Sequence, residues 1–258
     1  MEAIIGDIGN TITKICIIQL NNFKIKKLIY FDSKNINSKK FLKKKFANII
    51  NKKKIIKVCL FSSVVPNYEF LMKKFLKQFY KITFIEINNK SINKIVKVNF
   101  KNKKQVGSDR IANAVGAYTQ YKTNCIVLDF GTATTFDVVT KRGFYNGGII
   151  APGINLSIKS LANSAAQISN FLIKKPKRVI GKNTLEALRS GFYWGYLGLI
   201  NNIILKIEKE SNLKYKIIFT GGYASLFRTS IARSFKINKN ITIEGIIEIF
   251  KKNINYLN

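Results

Sequence analysis

The chain has 258 residues, of which 45 are Lys or Arg, 13 are Asp or Glu and none is His, so its formal net charge is +32 at pH 7. The length suits one large or two small domains, and a hydrophobic content of 47% is enough for a sizeable core, which excludes an intrinsically disordered chain. The absence of histidine excludes Ser-His-Asp and Cys-His catalysis as well as zinc–histidine sites. Acid–base chemistry must therefore use carboxylates, Lys, Tyr or Cys.

The strong positive charge has two possible explanations. Only six of the 45 cationic residues are Arg, and Ile and Asn are abundant along with Lys. A bias toward A/T-rich codons explains all of these excesses together, whereas a nucleic-acid site would explain only the cations and would favour Arg. We therefore do not expect nucleic acid to be a partner.

Cysteine usage and the hydropathy pattern point to a reduced compartment. Cys16, Cys59 and Cys125 are too few and too widely spaced for a disulfide framework or a zinc site, which predicts buried thiols. No uncharged run is long enough to span a membrane, and the first residues lack the pattern of a signal peptide. We expect no membrane association and a cytoplasmic location.

Alternating and helical apolar patterns predict an α/β protein made of two similar halves, residues 1–118 and 119–258. The predicted order of strands and helices in the first half is β-β-β-α-β-α-β, and the second half begins with three further strands. The predicted strands are Ala3–Gly6, Ile12–Leu20, Lys24–Phe31, Val58–Phe61, Ile82–Ile87, Cys125–Leu128, Thr134–Thr140, Phe144–Ile150 and Lys216–Phe219. The predicted helices are Lys39–Ile50, a segment after Pro66, Ile111–Tyr121, Leu156–Ala166, Leu185–Glu208, Ala224–Ser234 and Ile243–Phe250.

The two halves share a turn that follows their first strand. Asp7-Ile8-Gly9-Asn10-Thr11 reappears 122 residues later as Asp129-Phe130-Gly131-Thr132-Ala133. Glycine lets a phosphate approach backbone N–H groups, the amide and hydroxyl side chains add donors, and Lys14 adds a cation. A carboxylate beside a phosphate chain needs a cation between them, so Asp7 is expected to face Mg²⁺ through water. One such turn could be an ordinary hairpin, but two predict phosphate-binding loops at a cleft between the halves.

Three glycine-containing motifs complete the pattern. Thr220-Gly221-Gly222 follows an apolar strand, as expected where a flat group lies on the backbone. Gly107-Ser108-Asp109-Arg110 precedes an apolar helix, with Ser108 as the expected N-cap and Asp109 in the first turn. Gly191, Gly195 and Gly198 mark one helix face without side chains, which predicts close helix packing, within the chain or with a partner chain.

In this order the motifs resemble those of the type III pantothenate kinases, members of the acetate and sugar kinase, Hsp70 and actin superfamily. The resemblance runs nearly end to end. It rests on Asp7–Thr11, Ser62-Ser63-Val64-Val65-Pro66, Gly107–Arg110 with Ala112-Asn113-Ala114-Val115, Asp129–Asp137, Gly147–Gly153, Gly181-Lys182-Asn183-Thr184, Ser190-Gly191 and Thr220–Ala224. It implies a duplicated ribonuclease H-like (actin-like ATPase) fold with an interlobe cleft. It also implies ATP-dependent phosphorylation of pantothenate, the first step toward coenzyme A.

The resemblance also implies roles for individual residues, with Asp109 as the general base. ATP would be bound by Asp7, Ile8, Gly9, Asn10, Thr11, Ile12, Thr13, Lys14 and Thr132. Pantothenate would be held by Phe100, Gly107, Ser108, Asp109 and Arg110, and by Thr184 from the second subunit of a homodimer. Asp129 would bind K⁺ or NH₄⁺, and Mg²⁺ would arrive with ATP. The family usually has Tyr where this chain has Phe100, so a hydroxyl contact is lost and weaker substrate affinity is expected.

Two alternatives remain open on sequence alone. A kinase for another small hydroxyl substrate would share the phosphate-binding turns but not Gly107–Arg110. A nucleic-acid-binding regulator on the same fold would use the positive charge and would lack kinase activity.

Overall fold

The computed structural model describes residues 1–87, 92, 95–99, 105–165, 168–231 and 233–257. The chain forms two compact units. The first contains residues 1–122, 142–146 and 240–258, and the second contains residues 123–141 and 147–239. The first unit is thus assembled from three separate segments, and it takes in the C-terminal helix, which the predicted halves had placed with residues 119–258.

The first unit is built on a five-stranded sheet with strand order β3-β2-β1-β4-β5. Strands β1, β2 and β3 are antiparallel neighbours, whereas β4 and β5 run parallel to β1. The observed order β-β-β-α-β-α-β confirms the sequence prediction for this part of the chain. Its elements are β1 (Glu2–Ile8), β2 (Ile12–Gln19), β3 (Ile25–Asp32), a short 3₁₀ helix (Ser33–Asn37), α1 (Lys39–Ala47), β4 (Ile55–Ser63), α2 (Pro66–Tyr80) and β5 (Thr83–Glu86).

One hydrophobic core fills the space between this sheet and helices α1 and α2. Alternate residues of β1 and β2, such as Ile4, Ile8 and Ile15, contribute to it together with Phe46 of α1 and Met72 of α2. The apolar positions of each helix fall on one side, as the 3.6-residue period predicted. Burial of this face holds both helices on the sheet.

Two further helices, α3 (Ser108–Tyr121) and α6 (Ile241–Leu257), pack together within the first unit. They approach closely because each presents a glycine at the contact. A Cβ at Gly245 would lie 1.9 Å from the carbonyl oxygen of Ala112, and one at Gly116 would lie 2.4 Å from the carbonyl oxygen of Ile241. A buried hydrogen bond of 2.8 Å from Thr242 Oγ1 to Asn113 Oδ1 joins the same two helices.

The second sheet has the order β11-β10-β7-β8-β9-β6. Its strands are β6 (Lys97–Val98), which pairs with Phe144 and Tyr145 of β9, then β7 (Cys125–Phe130), β8 (Ala133–Val139), β9 (Phe144–Pro152), β10 (Lys216–Gly221) and β11 (Phe235–Ile237). Helices α4 (Ile154–Ser164) and α5 (Thr184–Ser211) belong to the second unit. Leu128, Phe136 and Phe219 from one sheet face form its core with Ile158 of α4 and Tyr193 of α5.

The predicted helix Ala224–Ser234 is wrong. Its described residues form successive turns with backbone bonds three residues apart, such as Leu226 N to Tyr223 O and Ser230 N to Phe227 O. The turns still bury Ala224 and Phe227 in the core, so the apolar spacing that suggested a helix is satisfied by tighter turns. The short strand β11 follows, and the sequence analysis did not identify it.

The three cysteines are free and buried, as expected, and burial raises the pKa of Cys16 and of Cys125 to about 12. Within the described part of the chain, no helix is both long enough and apolar enough to cross a bilayer.

The contact between α3 and α6 gives a prediction about stability. Helix propensity alone favours Gly245→Ala by about 1 kcal/mol. The close approach to Ala112 predicts the opposite sign, a loss of about 1–3 kcal/mol in the free energy of unfolding, because the helices must separate. Urea denaturation measures the difference, and a variant as stable as the parent would contradict this packing.

Candidate active site

The first site element is the hairpin that joins β1 to β2. Asp7 and Lys14 are opposite each other in the antiparallel register, and Lys14 Nζ lies 3.9 Å from Asp7 Oδ2. The turn between them leaves Asn10, Thr11 and Ile12 exposed. A carboxylate, a cation and exposed donors therefore occur together within eight residues, as expected for a phosphate-binding turn.

Neighbouring groups fix the shape of this hairpin. Gly9 N donates to Ile12 O at 3.2 Å, and Ser33 Oγ donates to Gly9 O at 2.7 Å. The hydroxyl of Thr13 lies 2.8 Å from Ser33 Oγ in a buried contact. Of the residues expected to bind ATP, Asp7, Ile8 and Thr13 are buried, and the Thr13 hydroxyl contacts Ser33 beneath the turn.

The second element is the N-terminus of α3, tied to the end of β4 by one buried hydroxyl. Ser108 Oγ accepts from Ser63 N at 2.9 Å, donates to Ser63 O at 2.9 Å and lies 3.1 Å from Ser62 Oγ. Ser62 and Ser63 are in register with Asp7 and Ile8 on the parallel strand β1. The start of α3 is therefore fixed at the carboxyl ends of β1 and β4, where ligands bind in open α/β sheets.

Ser108 is not the N-cap that the sequence predicted. The N-cap is Gly107, which makes no side-chain cap bond, and Ser108 is the first helical residue. The prediction failed because the hydroxyl of Ser108 bonds to β4 instead of to its own helix. Asp109 does lie in the first turn, as expected.

Asp109 is half-buried, and the local backbone fixes the direction of its carboxylate. Asp109 Oδ1 accepts from Arg110 N at 2.8 Å, and a Cβ at Gly107 would lie 2.6 Å from the same oxygen. Burial raises the pKa of Asp109, and the charges of Arg110 and Lys14 oppose that rise. The influence of Lys14 places Asp109 in the same region of the first unit as the Asp7 hairpin.

Arg110 is buried beside an aromatic ring. Its guanidinium carbon lies 5.9 Å from the centre of the Tyr145 ring, and Tyr145 is itself fully buried. A cation over a ring face is attracted to it and keeps a defined orientation. Phe100, which was expected to contact the substrate nearby in sequence, lies outside the described residues.

In the second unit, the hairpin Asp129–Ala133 joins β7 to β8. Gly131 N donates to Ala133 O at 3.0 Å, so this turn is closed by a bond that spans one residue fewer than the bond from Gly9 N to Ile12 O in the first. Two glycine motifs pack against it: Gly222 N donates to Phe130 O at 3.1 Å, and a Cβ at Gly153 would lie 2.1 Å from Thr132 O. The structure thus brings three predicted motifs of the second unit together and leaves Thr132 exposed.

Polar side chains cluster on one face of the second sheet at this turn. Asp129 is paired with Thr135 on β8 and with Thr220 on β10, so the three share a face. Asp137 lies two residues beyond Thr135 on that face, is fully buried, and accepts from Thr135 Oγ1 at 3.5 Å. Among the described residues, no three His, Cys, Asp or Glu side chains come together as a metal-binding group.

Thr184 begins helix α5 and is exposed. It borders a mainly apolar groove of about 650 Å³ that also includes Gly191, Gly195 and Tyr196. A Cβ at Gly191, Gly195 or Gly198 would meet no atom within 4 Å. Nothing in the described part of the chain packs against these glycines, so of the two predicted contacts the one within the chain is wrong, and the one with a partner chain stays a prediction.

Sequence reasoning gave no role to Tyr145 or Thr220, and it noted Ser62 and Ser63 only as part of a motif. The serines carried a weak signal, since two consecutive hydroxyls at the end of an apolar strand are unusual. Tyr145 carried none, because it follows the pattern of its strand, and Thr220 belonged to a motif in which only the glycines were given a purpose.

Comparison with known proteins agrees with this geometry. The sequence model of the type III pantothenate kinase family matches residues 3–206. A type III pantothenate kinase of Pelagibacter ubique is 48% identical over 244 residues, which is 95% of this chain and 96% of that protein.

Similar solved structures include a Campylobacter jejuni protein assigned to the Baf family of transcriptional activators. It has a TM-score of 0.62 and 21% identity, covering 98% of this chain and 99% of that one. A Listeria monocytogenes protein assigned as an N-acetylmannosamine kinase has a TM-score of 0.55 and 12% identity over 99% and 100% of the two chains. These two likenesses indicate the shared actin-like ATPase and sugar kinase fold.

The match of the family model over most of the chain, and the 48% identity over nearly all of it, show that this chain belongs to the type III pantothenate kinases.

Proposed function

We propose that this chain transfers the γ-phosphoryl group of ATP to the hydroxyl of pantothenate, giving 4'-phosphopantothenate, with Asp109 as the general base. Family membership supports the reaction and the substrates. The role of Asp109 is supported by its position in the first turn of α3, where the charge of Lys14 from the first hairpin acts on its carboxylate. One carboxylate is enough, since the reaction needs positioning and charge neutralisation more than covalent chemistry.

The two hairpins are proposed to bind ATP. In the first, Asp7 through Lys14 offer backbone donors, two exposed polar side chains and one cation, and in the second, Thr132 is exposed at the turn. Asp7 suits a position facing Mg²⁺ through water, because a carboxylate beside phosphate requires a cation between them. Loss of Lys14 would leave the Asp7 carboxylate repelling the nucleotide.

The start of α3 is proposed to bind pantothenate. Arg110 is a suitable partner for the carboxylate of pantothenate, and Tyr145 holds its guanidinium in place. Ser108 Oγ is committed to Ser63 and Arg110 N is committed to Asp109 Oδ1, so neither group is proposed as a donor to the substrate. Asp109 accepts the proton of the attacking hydroxyl, and its raised pKa makes it a stronger base than an ordinary aspartate.

Asp129 is proposed to bind K⁺ or NH₄⁺. It shares a sheet face with Asp137 and with two threonine hydroxyls, which supply oxygen ligands and negative charge. When bound, such cations neutralise the negative charge of the phosphoryl oxygens.

A homodimer is proposed to form through the glycine face of α5. Three glycines that meet no atom within the chain would let a second copy of the same helix approach closely. The apolar side chains of Leu172, Val179 and Ile180 in the preceding segment are 72%, 64% and 74% exposed, which adds surface that a partner would cover. Thr184 at the start of α5 would then reach the pantothenate site of the partner.

Replacing Asp109 by Asn tests the general base. We expect kcat with ATP and pantothenate to fall about 10²-fold or more. Burial raises the pKa of Asp109, so ionising it opposes folding and the neutral Asn variant should be at least as stable to urea as the parent. Turnover like that of the parent would refute the assignment, and activity with other small alcohols but not pantothenate would refute the substrate.

The pH profile of kcat adds a second readout to the same experiment. Asp109 works only when deprotonated, so kcat should decline as the pH falls through its raised pKa, which lies above the ordinary value of about 3.9.

Asp129→Ala should abolish stimulation of the kinase by K⁺. The comparison is kcat in KCl and in choline chloride at equal ionic strength, for the variant and the parent. Persistent stimulation in the variant would place the cation elsewhere.

Gly195→Leu should dissociate the dimer, since the larger side chain would hold two copies of α5 apart. Sedimentation equilibrium measures the association, and Gly195→Ala, a smaller change at the same position, should weaken it less. A Leu variant that associates as tightly as the parent would exclude this face as the interface.

A further inference from the structure

We infer that the hydroxyl of Thr220 is a ligand of the monovalent cation, together with Asp129. This inference rests on the cation proposed above and assigns a role to the side chain of Thr220, which the motif Thr220-Gly221-Gly222 contained without one. It starts from the position of Thr220 at the end of β10, one residue before the turn at Gly221.

Strand register places Thr220 beside Asp129. The two are direct partners in the parallel pairing of β10 with β7, and directly paired residues of neighbouring strands project from the same face. Ile217 and Phe219 project to the other face, into the hydrophobic core with Leu128 and Phe130. The Thr220 side chain therefore points away from that core, toward the polar face that carries Asp129 and Asp137.

The hydroxyl of Thr220 is a polar group that this chain does not satisfy. Thr220 is 0% exposed, and its Oγ1 has no hydrogen-bond partner among the residues that the structure describes. A buried hydroxyl without a partner costs free energy, and most such groups in proteins are paired. Because Asp129 is its direct neighbour across the strands, a ligand held by Asp129 lies within reach of this oxygen.

The charge of this face determines what kind of ligand fits. Asp129 and Asp137 both project from it, so an anion such as phosphate would be repelled, whereas a cation would be attracted. A threonine oxygen has two lone pairs that can bind a cation.

The turn after Thr220 keeps the space beside Asp129 free of side chains. Gly221 has φ +82°, and a Cβ there would lie 2.6 Å from Asp129 Oδ1. A glycine at this point therefore preserves room at the carboxylate where the ion would bind.

The experiment compares Thr220→Val with Thr220→Ser and with Thr134→Val. Valine has nearly the shape of threonine without the oxygen, and serine keeps the oxygen. Thr134 is the matched control, since it is 1% exposed and its Oγ1 also has no partner. It is paired with Phe130 and therefore projects from the opposite sheet face.

The first readout is the melting temperature of each protein without nucleotide or pantothenate, as KCl replaces choline chloride at constant ionic strength. A ligand that binds the folded state raises Tm by mass action. We expect the parent, Thr220→Ser and Thr134→Val to gain Tm in KCl. Thr220→Val should need about tenfold more K⁺ for the same gain, and in choline chloride it should be at least as stable as the parent.

The second readout is the K⁺ dependence of kinase activity. The concentration of K⁺ for half-maximal activity should rise about tenfold or more in Thr220→Val, the size of loss typical when a supporting group of an ion site is removed. Thr220→Ala, a smaller residue that also lacks the oxygen, repeats the test if the Val variant folds poorly.

The outcomes separate the two proposals. If the Tm and activity of the parent do not respond to K⁺, the proposed cation fails and the inference fails with it. If the parent responds and the Val variant responds equally, only the role of Thr220 is overturned. Equal losses in Thr134→Val would also overturn it, because they would reflect packing of the sheet.

Discussion

The catalytic half of this kinase depends on one buried hydroxyl, Ser108 Oγ, which joins the first turn of α3 to the end of β4. It exchanges hydrogen bonds with both backbone groups of Ser63, so the helix can neither slide nor rotate without breaking them. Because β4 is paired with β1, this bond also sets the position of Asp109 relative to the hairpin that carries Asp7 and Lys14. Removing it would leave polar groups unsatisfied in a buried place.

The second hairpin has a tighter turn than the first and a different support. In the first unit, side-chain hydroxyls of Ser33 and Thr13 hold the turn from below. In the second unit, glycines at positions 153, 221 and 222 bring backbone directly against the turn. The second arrangement leaves the carboxylate of Asp129 on a polar sheet face, which suits a cation, whereas Asp7 is paired with a lysine.

Much of the fold followed from apolar periodicity, because strands and helices such as β4 and α2 bury regular faces. The prediction of a helix from Ala224 was wrong, since repeated turns can bury the same apolar residues as a helix. At the site, Asp7, Asp109 and Asp129 could be found because acidic residues are rare in this chain and follow strands or open a helix. Tyr145 and Thr220 could not, because their neighbours Arg110 and Asp129 lie on elements distant in sequence, and spacing along the chain does not encode such contacts.

The first unit is discontinuous, and α6 completes it through the glycine contact with α3. During synthesis on a ribosome, α3 emerges more than a hundred residues before its partner helix does. The surface of α3 that contacts α6 therefore stays exposed, or bound to a chaperone, until residues 240–258 have been synthesised. Vectorial folding of the first 122 residues alone cannot produce the native catalytic unit.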